Sequence, residues 1–292
     1  MAPGSERRPI VLGVDAGGPG LLATTWAADE ADRRRLPLLM FHAVPELGSD
    51  RRGFEKRYHE DLRTDGRQVL DKVAALVGER HPKLELATSL VDGNPGQVLC
   101  LESARAELVV LGSRRLTRAE EFLSASSVTV PVSAQATCPV VVVREPEHVT
   151  QDPPYLVVGV DGSPSSAAAV EVAFDLAARR GAALRAIWVR QSPPFGRTDE
   201  LRADQEPRRL LTETTAGRAG RYPDVKLTHE VIHGHPVEEL ARASEHALAV
   251  VVGRRGHGGF TGMRLGSVPH GLLHHAHCPI VTVPRPAVEP RG

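Results

Sequence analysis

Residues 156–180 read LVVGVDGSPSSAAAVEVAFDLAARR, and this stretch decides the fold. It opens on Leu156-Val-Val-Gly-Val-Asp161, a short Val-rich run of the kind that forms a strand buried on both faces. Ser163 is suited to cap a helix, and Pro164 to occupy its first position. Val170, Phe174 and Ala177 then recur at i, i+4 and i+7, a stripe that faces a core. A buried strand, a tight turn and an amphipathic helix together begin a parallel α/β sheet.

Working outward, the same opening occurs earlier as Ile10-Val-Leu-Gly-Val-Asp15. Three further blocks repeat in the same order. Val91-Asp-Gly-Asn-Pro95 returns as Ile232-His-Gly-His-Pro236, Leu108-Val-Val-Leu-Gly112 as Ala249-Val-Val-Val-Gly253, and Cys138-Pro-Val-Val-Val-Val143 as Cys278-Pro-Ile-Val-Thr-Val283. The offset drifts from 146 at the first pair to 140 at the last, too long a period for a solenoid, so each copy is a domain. The reading gives a first domain over 1–146, a polar, proline-containing linker over 147–154, a second domain over 155–285 and a tail over 286–292. Each domain is expected to be an open, five-stranded, mostly parallel sheet with helices on both faces, a Rossmann-like fold. In the second copy the strands fall at Leu156–Asp161, Ala183–Arg190, Lys226–Ile232, Leu248–Gly253 and Pro279–Val283. The helices fall at Ser165–Arg180, Glu200–Tyr222, Pro236–His246 and Gly266–His275.

Composition narrows the function. The chain has 292 residues, 41% hydrophobic but only 4% aromatic, so Val, Leu and Ala must build the cores. Lys+Arg and Asp+Glu both count 36, which gives no support for a nucleic-acid or anionic-membrane partner. The three cysteines, Cys100, Cys138 and Cys278, form neither CxxC nor a disulfide framework. No apolar run reaches the ~20 residues of a membrane helix, and the N-terminus lacks a signal-peptide core, so a reducing cytoplasm is the expected location.

The stretch richest in chemistry is Gly253-Arg-Arg-Gly-His-Gly-Gly-Phe-Thr-Gly-Met-Arg-Leu-Gly-Ser267, with six glycines in 15 residues between a strand and a helix start. Connections this long are functional or disordered. Glycines permit φ > 0 and let backbone N–H groups crowd around an anion. Gly266-Ser267 opens a helix whose first N–H groups and dipole favour phosphate. The Ser267 hydroxyl either donates to a phosphate oxygen or caps the helix. Neither GxxxxGK[ST] nor a GxGxxG after the first strand is present. What stands here is G-x2-G-x9-G-S, with Gly253, Gly256, Gly266 and Ser267 in place.

This loop, with the opening Val158-Gly-Val-Asp-Gly-Ser163, with Ile232-His-Gly-His-Pro236 and with Leu272-Leu-His-His-Ala-His-Cys-Pro279, resembles the universal stress protein family over nearly the whole chain. The resemblance implies an ATP site in the second domain. Asp161, ending the strand that carries Gly159 and Val160, would sit near the nucleoside, and Val189 against the adenine. Gly253, Arg254, Gly256, Gly266, Ser267 and Val268 would hold ribose and phosphates, with a divalent cation such as Mg²⁺. Pro269 stands where family members often carry a hydroxyl residue. Read without the family, Asp161 is equally a strand-end residue that bonds the next helix.

The first domain keeps Asp15 and Gly112 but places Arg115 and Ser126-Ser127 where the second has Gly256 and Gly266-Ser267. Its loop has no glycine between Ser113 and Ser126, so its site is read as vestigial. His270 and His274 have i, i+4 spacing that can suit a metal, but the reading takes them as a helix face and assigns no metal or catalytic residue. The expected function is an ATP-binding regulator or sensor in the stress response, not an enzyme. The alternatives are an ATP-using enzyme for adenylation or phosphoryl transfer, and a ligand-free structural pair. A homodimer and an unidentified regulatory protein are the expected partners. The last strands, Val140–Val143 and Ile280–Val283, are expected to pair with each other, since unpaired edges are liabilities.

Overall fold

The computed structural model describes residues 7–17, 20–46, 54–113, 128–191, 204–256 and 265–285. The chain divides into two compact units, Met1–Arg144 and Glu145–Gly292. Unit 1 contains β1 (Ile10–Gly13), α1 (Leu21–Arg34), β2 (Leu38–Val44), α2 (Phe54–Arg80), β3 (Leu86–Asp92), α3 (Pro95–Glu102), β4 (Leu108–Gly112), α4 (Thr129–Gln135) and β5 (Val140–Val143). Unit 2 contains β6 (Tyr155–Gly159), α5 (Pro164–Arg180), β7 (Ala183–Arg190), α6 (Gln205–Thr215), α7 (Arg218–Arg221), β8 (Leu227–His233), α8 (Pro236–Ala243), β9 (Val250–Gly253), α9 (Ser267–His275) and β10 (Ile280–Val283).

Within unit 1 the strands run β3-β2-β1-β4-β5, and within unit 2 β8-β7-β6-β9-β10. The described pairings inside each unit are parallel. The order turns back at β1/β4 in one unit and at β6/β9 in the other. At such a switch point the chains leave the sheet in opposite directions and open a crevice beyond the carboxyl ends.

The strands are Val-rich because both their faces are covered. Val157, Val158, Val250 and Val251 are wholly buried. The stripe expected on α5 lies against them, with Val170, Phe174 and Ala177 at 0% exposure. Burying Phe174 alone is worth roughly 1.5–3 kcal/mol. The helix begins as its sequence requires. The Ser163 hydroxyl accepts from Ser166 N at 3.1 Å, and Pro164 takes the first turn.

Both units carry the same brace. Ser103 Oγ accepts from Thr137 N at 2.9 Å, and Ser244 Oγ accepts from His277 N at 2.9 Å. These serines are 1% and 0% exposed. Each ties the end of a helix to the turn that precedes the last strand of its unit.

Two details differ from the sequence reading, and a third was not read from it. The helix expected over Glu200–Tyr222 is two helices, because Gly217 takes φ 77 and interrupts the ladder. Val160 and Asp161 lie beyond the end of β6, although Val160 N still bonds Ile187 O at 2.9 Å. Arg35 ends α1 in the left-handed region at φ 54, where the matching cap of α5 is Gly181 at φ 59.

Candidate functional site

The switch point of unit 2 lies where β6 and β9 end side by side. Residues 160–163, four in all, join β6 to α5. Asp161 Oδ1 accepts from Ser163 N at 3.0 Å, and Gly162 between them takes φ 76. This turn needs a glycine at its centre, because the left-handed region is costly for a residue with a Cβ. Asp161 therefore does bond the start of the next helix, as the alternative reading of the residue had it.

The β9 end is pressed against that helix start. A Cβ on Gly253 would lie 2.7 Å from the carbonyl carbon of Ser165 and 2.8 Å from Ser166 N, so only glycine fits. A Cβ on Gly256 would lie 2.3 Å from Asp161 Oδ2. The loop backbone thus runs directly against the carboxylate. Gly266 N donates to Arg254 O at 2.9 Å, which brings the two ends of the loop together, and a Cβ on Gly266 would lie 3.3 Å from that same oxygen. Residues 257–264, between them, lie outside the described residues.

Of the loop glycines, the three that lie among the described residues do not have the conformational role expected of them. Gly253, Gly256 and Gly266 all lie outside the positive-φ region, and Gly266 has φ −68 and ψ 160, open to any residue. What demands glycine is close approach by backbone at Gly253 and by a carboxylate at Gly256. The φ-demanding glycine is Gly162, which the loop motif does not include.

At α9 the N-cap is Gly266, and no side chain caps the helix. Ser267 is exposed at the first helical position, with Val268 half-buried behind it and Pro269 buried. The Ser267 hydroxyl is therefore not used as a cap, and Pro269 has no N–H to present. His270 N bonds Gly266 O at 3.1 Å, so the N–H groups that open α9 are those of Ser267 and Val268.

Other sequence-derived residues fall around this point. Val189, half-buried near the end of β7, is in register with Ile232 of β8, giving an apolar pair at the carboxyl end. Gly159 is set against protein, since a Cβ there would lie 3.1 Å from Leu240 Cδ1 and Val252 Cγ1. Val160 is 4% exposed and belongs to the core. Sequence reasoning treated Ser163 as a cap only. Its hydroxyl also donates to Arg255 O at 3.3 Å, linking the helix start to the loop. Nothing in a cap motif signals that second bond.

Unit 1 differs at the same place. Residues 14–20, seven in all, join β1 to α1, and Gly20 caps that helix without a side-chain bond. Asp15 Oδ1 accepts from Gly17 N at 3.3 Å. Among the described residues, a Cβ on Gly112 would meet only Ala23 Cβ, at 3.5 Å. Leu21 and Leu22 are 60% and 46% exposed there. Arg115, Ser126 and Ser127 lie outside the described residues.

Among the described residues no three His, Cys, Asp or Glu side chains come together as metal ligands. Cys138 and Cys278 are pushed up to about 12 by burial and are protonated, packed thiols. Among the described residues no helix is long and apolar enough to cross a membrane.

The family model described as "Universal stress protein family" matches residues 6–144 and again 155–284. The chain belongs to the universal stress protein family. It is a tandem member, with one family domain in each unit. Universal stress protein Rv2005c of Mycobacterium tuberculosis is 35% identical over 301 residues, covering 96% of this chain and 98% of its own length. A universal stress protein of Mycolicibacterium smegmatis is 34% identical over 285 residues, covering 94% and 96%. The solved structure of a universal stress protein from Archaeoglobus fulgidus superposes with TM-score 0.74 over 97% of this chain and 98% of its own, at 18% identity, a likeness of fold.

Proposed function

We propose that unit 2 of this universal stress protein binds ATP with Mg²⁺ and that nucleotide occupancy regulates its association with partners in the stress response. The observation that carries this reading is the meeting of the glycine loop with Asp161 at the switch point, next to the start of α9. Gly253, Gly256 and Gly266 are approached by Ser165, by Asp161 Oδ2 and by Arg254 O respectively. The loop backbone therefore lies against the end of β6 and the start of α5 at a switch point, where ligands of open α/β sheets bind. Ser267 and Val268 N–H groups at a helix N-terminus favour phosphate. Asp161 with Gly159 and Val160 behind it would face the nucleoside, Val189 the base, and Arg254 the phosphates. The Asp161 carboxylate and the Ser267 hydroxyl are oxygen donors of the kind a hard cation takes. Mg²⁺ bound there would neutralise phosphate charge.

Unit 1, with Asp15 in a longer loop and Gly112 in open contact, would bind nucleotide far more weakly. Binding without turnover is part of the reading, as are self-association of the chain and a regulatory protein partner. Mass spectrometry of nucleotide released from purified protein tests occupancy. Calorimetric titration with ATP and Mg²⁺ should give one site per chain. Gly256→Ala should weaken it at least about tenfold, because its Cβ displaces Asp161, while stability changes by under about 1 kcal/mol, the displaced group being the end of a side chain. Two equal sites, or wild-type affinity in Gly256→Ala, would overturn the proposal. Steady hydrolysis at about 1 s⁻¹ or faster, abolished in the same variant, would make the protein an enzyme instead.

A further inference from the structure

Beyond the loop, α9 carries two imidazoles on one face. His270 and His274 are one turn apart, with ring centroids 5.1 Å apart and planes inclined at 58°. His270 is exposed and His274 half-buried. We propose that His270 and His274 together bind a late first-row transition-metal ion of the Zn²⁺ or Cu²⁺ class, with water in the remaining positions.

The spacing carries the proposal. A metal–imidazole bond is about 2.0–2.1 Å, which puts a shared ion about 3.2 Å from each ring centre. Centres 5.1 Å apart then subtend about 105° at the ion, close to the tetrahedral angle, once one nitrogen of each ring turns to the common point. The backbone beneath the rings is held in place. Leu272 and Leu273 are buried, and Gly271 is pressed on α8, where a Cβ would lie 2.6 Å from Val237 Cγ2. Two ligands one turn apart on a clamped helix lose little freedom when they chelate.

Among the described residues no third His, Cys, Asp or Glu joins the pair. The site is therefore open and exchangeable, unlike a closed four-ligand structural zinc. Imidazole suits Zn²⁺, Cu²⁺ and Ni²⁺, whereas Mg²⁺ takes oxygen. The proposal is thus independent of any cation bound with nucleotide.

The test uses the full chain without an affinity tag, titrated with Zn²⁺ by calorimetry and with Cu²⁺ by electron paramagnetic resonance. One ion per chain should bind with the highest affinity, and the Cu²⁺ spectrum should show coupling to two nitrogens. His270→Gln and His274→Gln should each weaken binding about tenfold or more, His275→Gln should not, and excess Mg²⁺ should not compete. Circular dichroism checks that the variants fold. If His274→Gln does not, the exposed His270→Gln decides alone. No binding, retention of wild-type affinity in His270→Gln, or an equal loss in His275→Gln would overturn the proposal.

Discussion

Gly253 and Gly112 occupy the same place in the repeat, and replacing each by alanine should have different consequences. In unit 2 the new Cβ would lie 2.7 Å from the Ser165 carbonyl carbon and 2.8 Å from Ser165 Cβ and Ser166 N. Comfortable carbon contacts begin at about 3.5 Å, so the strand end and the helix must separate by roughly 0.7 Å. Neither side is soft. Ser166 is held by bonds of 3.1 and 2.9 Å to Ser163, and Arg254 N is held to Val283 O at 2.7 Å. Overpacking against fixed backbone costs about 1–3 kcal/mol. For a unit of 148 residues, Glu145 to Gly292, that lowers the melting temperature of its transition by about 2–12 °C. In unit 1 the added methyl meets, among the described residues, only Ala23 Cβ at 3.5 Å, an ordinary contact. Gly112→Ala should therefore be neutral, or stabilising by up to about 0.5 kcal/mol through the unfolded chain. Scanning calorimetry of the full-length protein and the two variants measures both. The reasoning fails if Gly112→Ala falls as far as Gly253→Ala, or if Gly253→Ala melts with wild type.

Arg35→Gly should stabilise unit 1 by about 0.5–1 kcal/mol in denaturant titration, because Arg35 holds a left-handed cap at φ 54 that glycine adopts freely. His229, hydrogen-bonded to Thr215 at 2.8 Å, is held below the ordinary histidine range by desolvation, and His270 is lowered as well. A lowered histidine contributes its full stability above the unfolded value near 6.5 and loses it as the pH falls toward the folded value. The melting temperature should accordingly drop as the pH falls below about 6.5, and drop less in His229→Gln. Of the three thiols, Cys100 should react with a disulfide reagent in the native protein, while Cys138 and Cys278, buried and raised to about 12, should react only after unfolding.

Much of the fold was legible because its signals are local. The Ser163-Pro164 start and the Val170, Phe174, Ala177 stripe of α5 are each set by residues within a few turns, and the repeated Val-rich blocks mark the central strands. The break at Gly217 escaped, since an isolated glycine inside a helical pattern is tolerated as often as it interrupts. The left-handed cap at Arg35 escaped too, because arginine gives no hint of positive φ. At the site, the motif glycines were visible as a spacing, but their physical cause was not. That cause is long-range: Gly253 is small because Ser165 is opposite, and Gly256 because Asp161 is. The longer β1–α1 connection in unit 1 is likewise a matter of where a helix starts, and GGPG leaves that start open.

The contrast between those two connections bears on how the halves can drift. In unit 2 the short turn presses helix against strand, so Gly253 admits no other residue and the positions around it must change together or not at all. In unit 1 the connection is seven residues, and among the described residues a Cβ on Gly112 meets only Ala23 Cβ at 3.5 Å. The same place in the repeat thus resists even a methyl group in one half, while in the other a methyl meets its described neighbour at an ordinary distance.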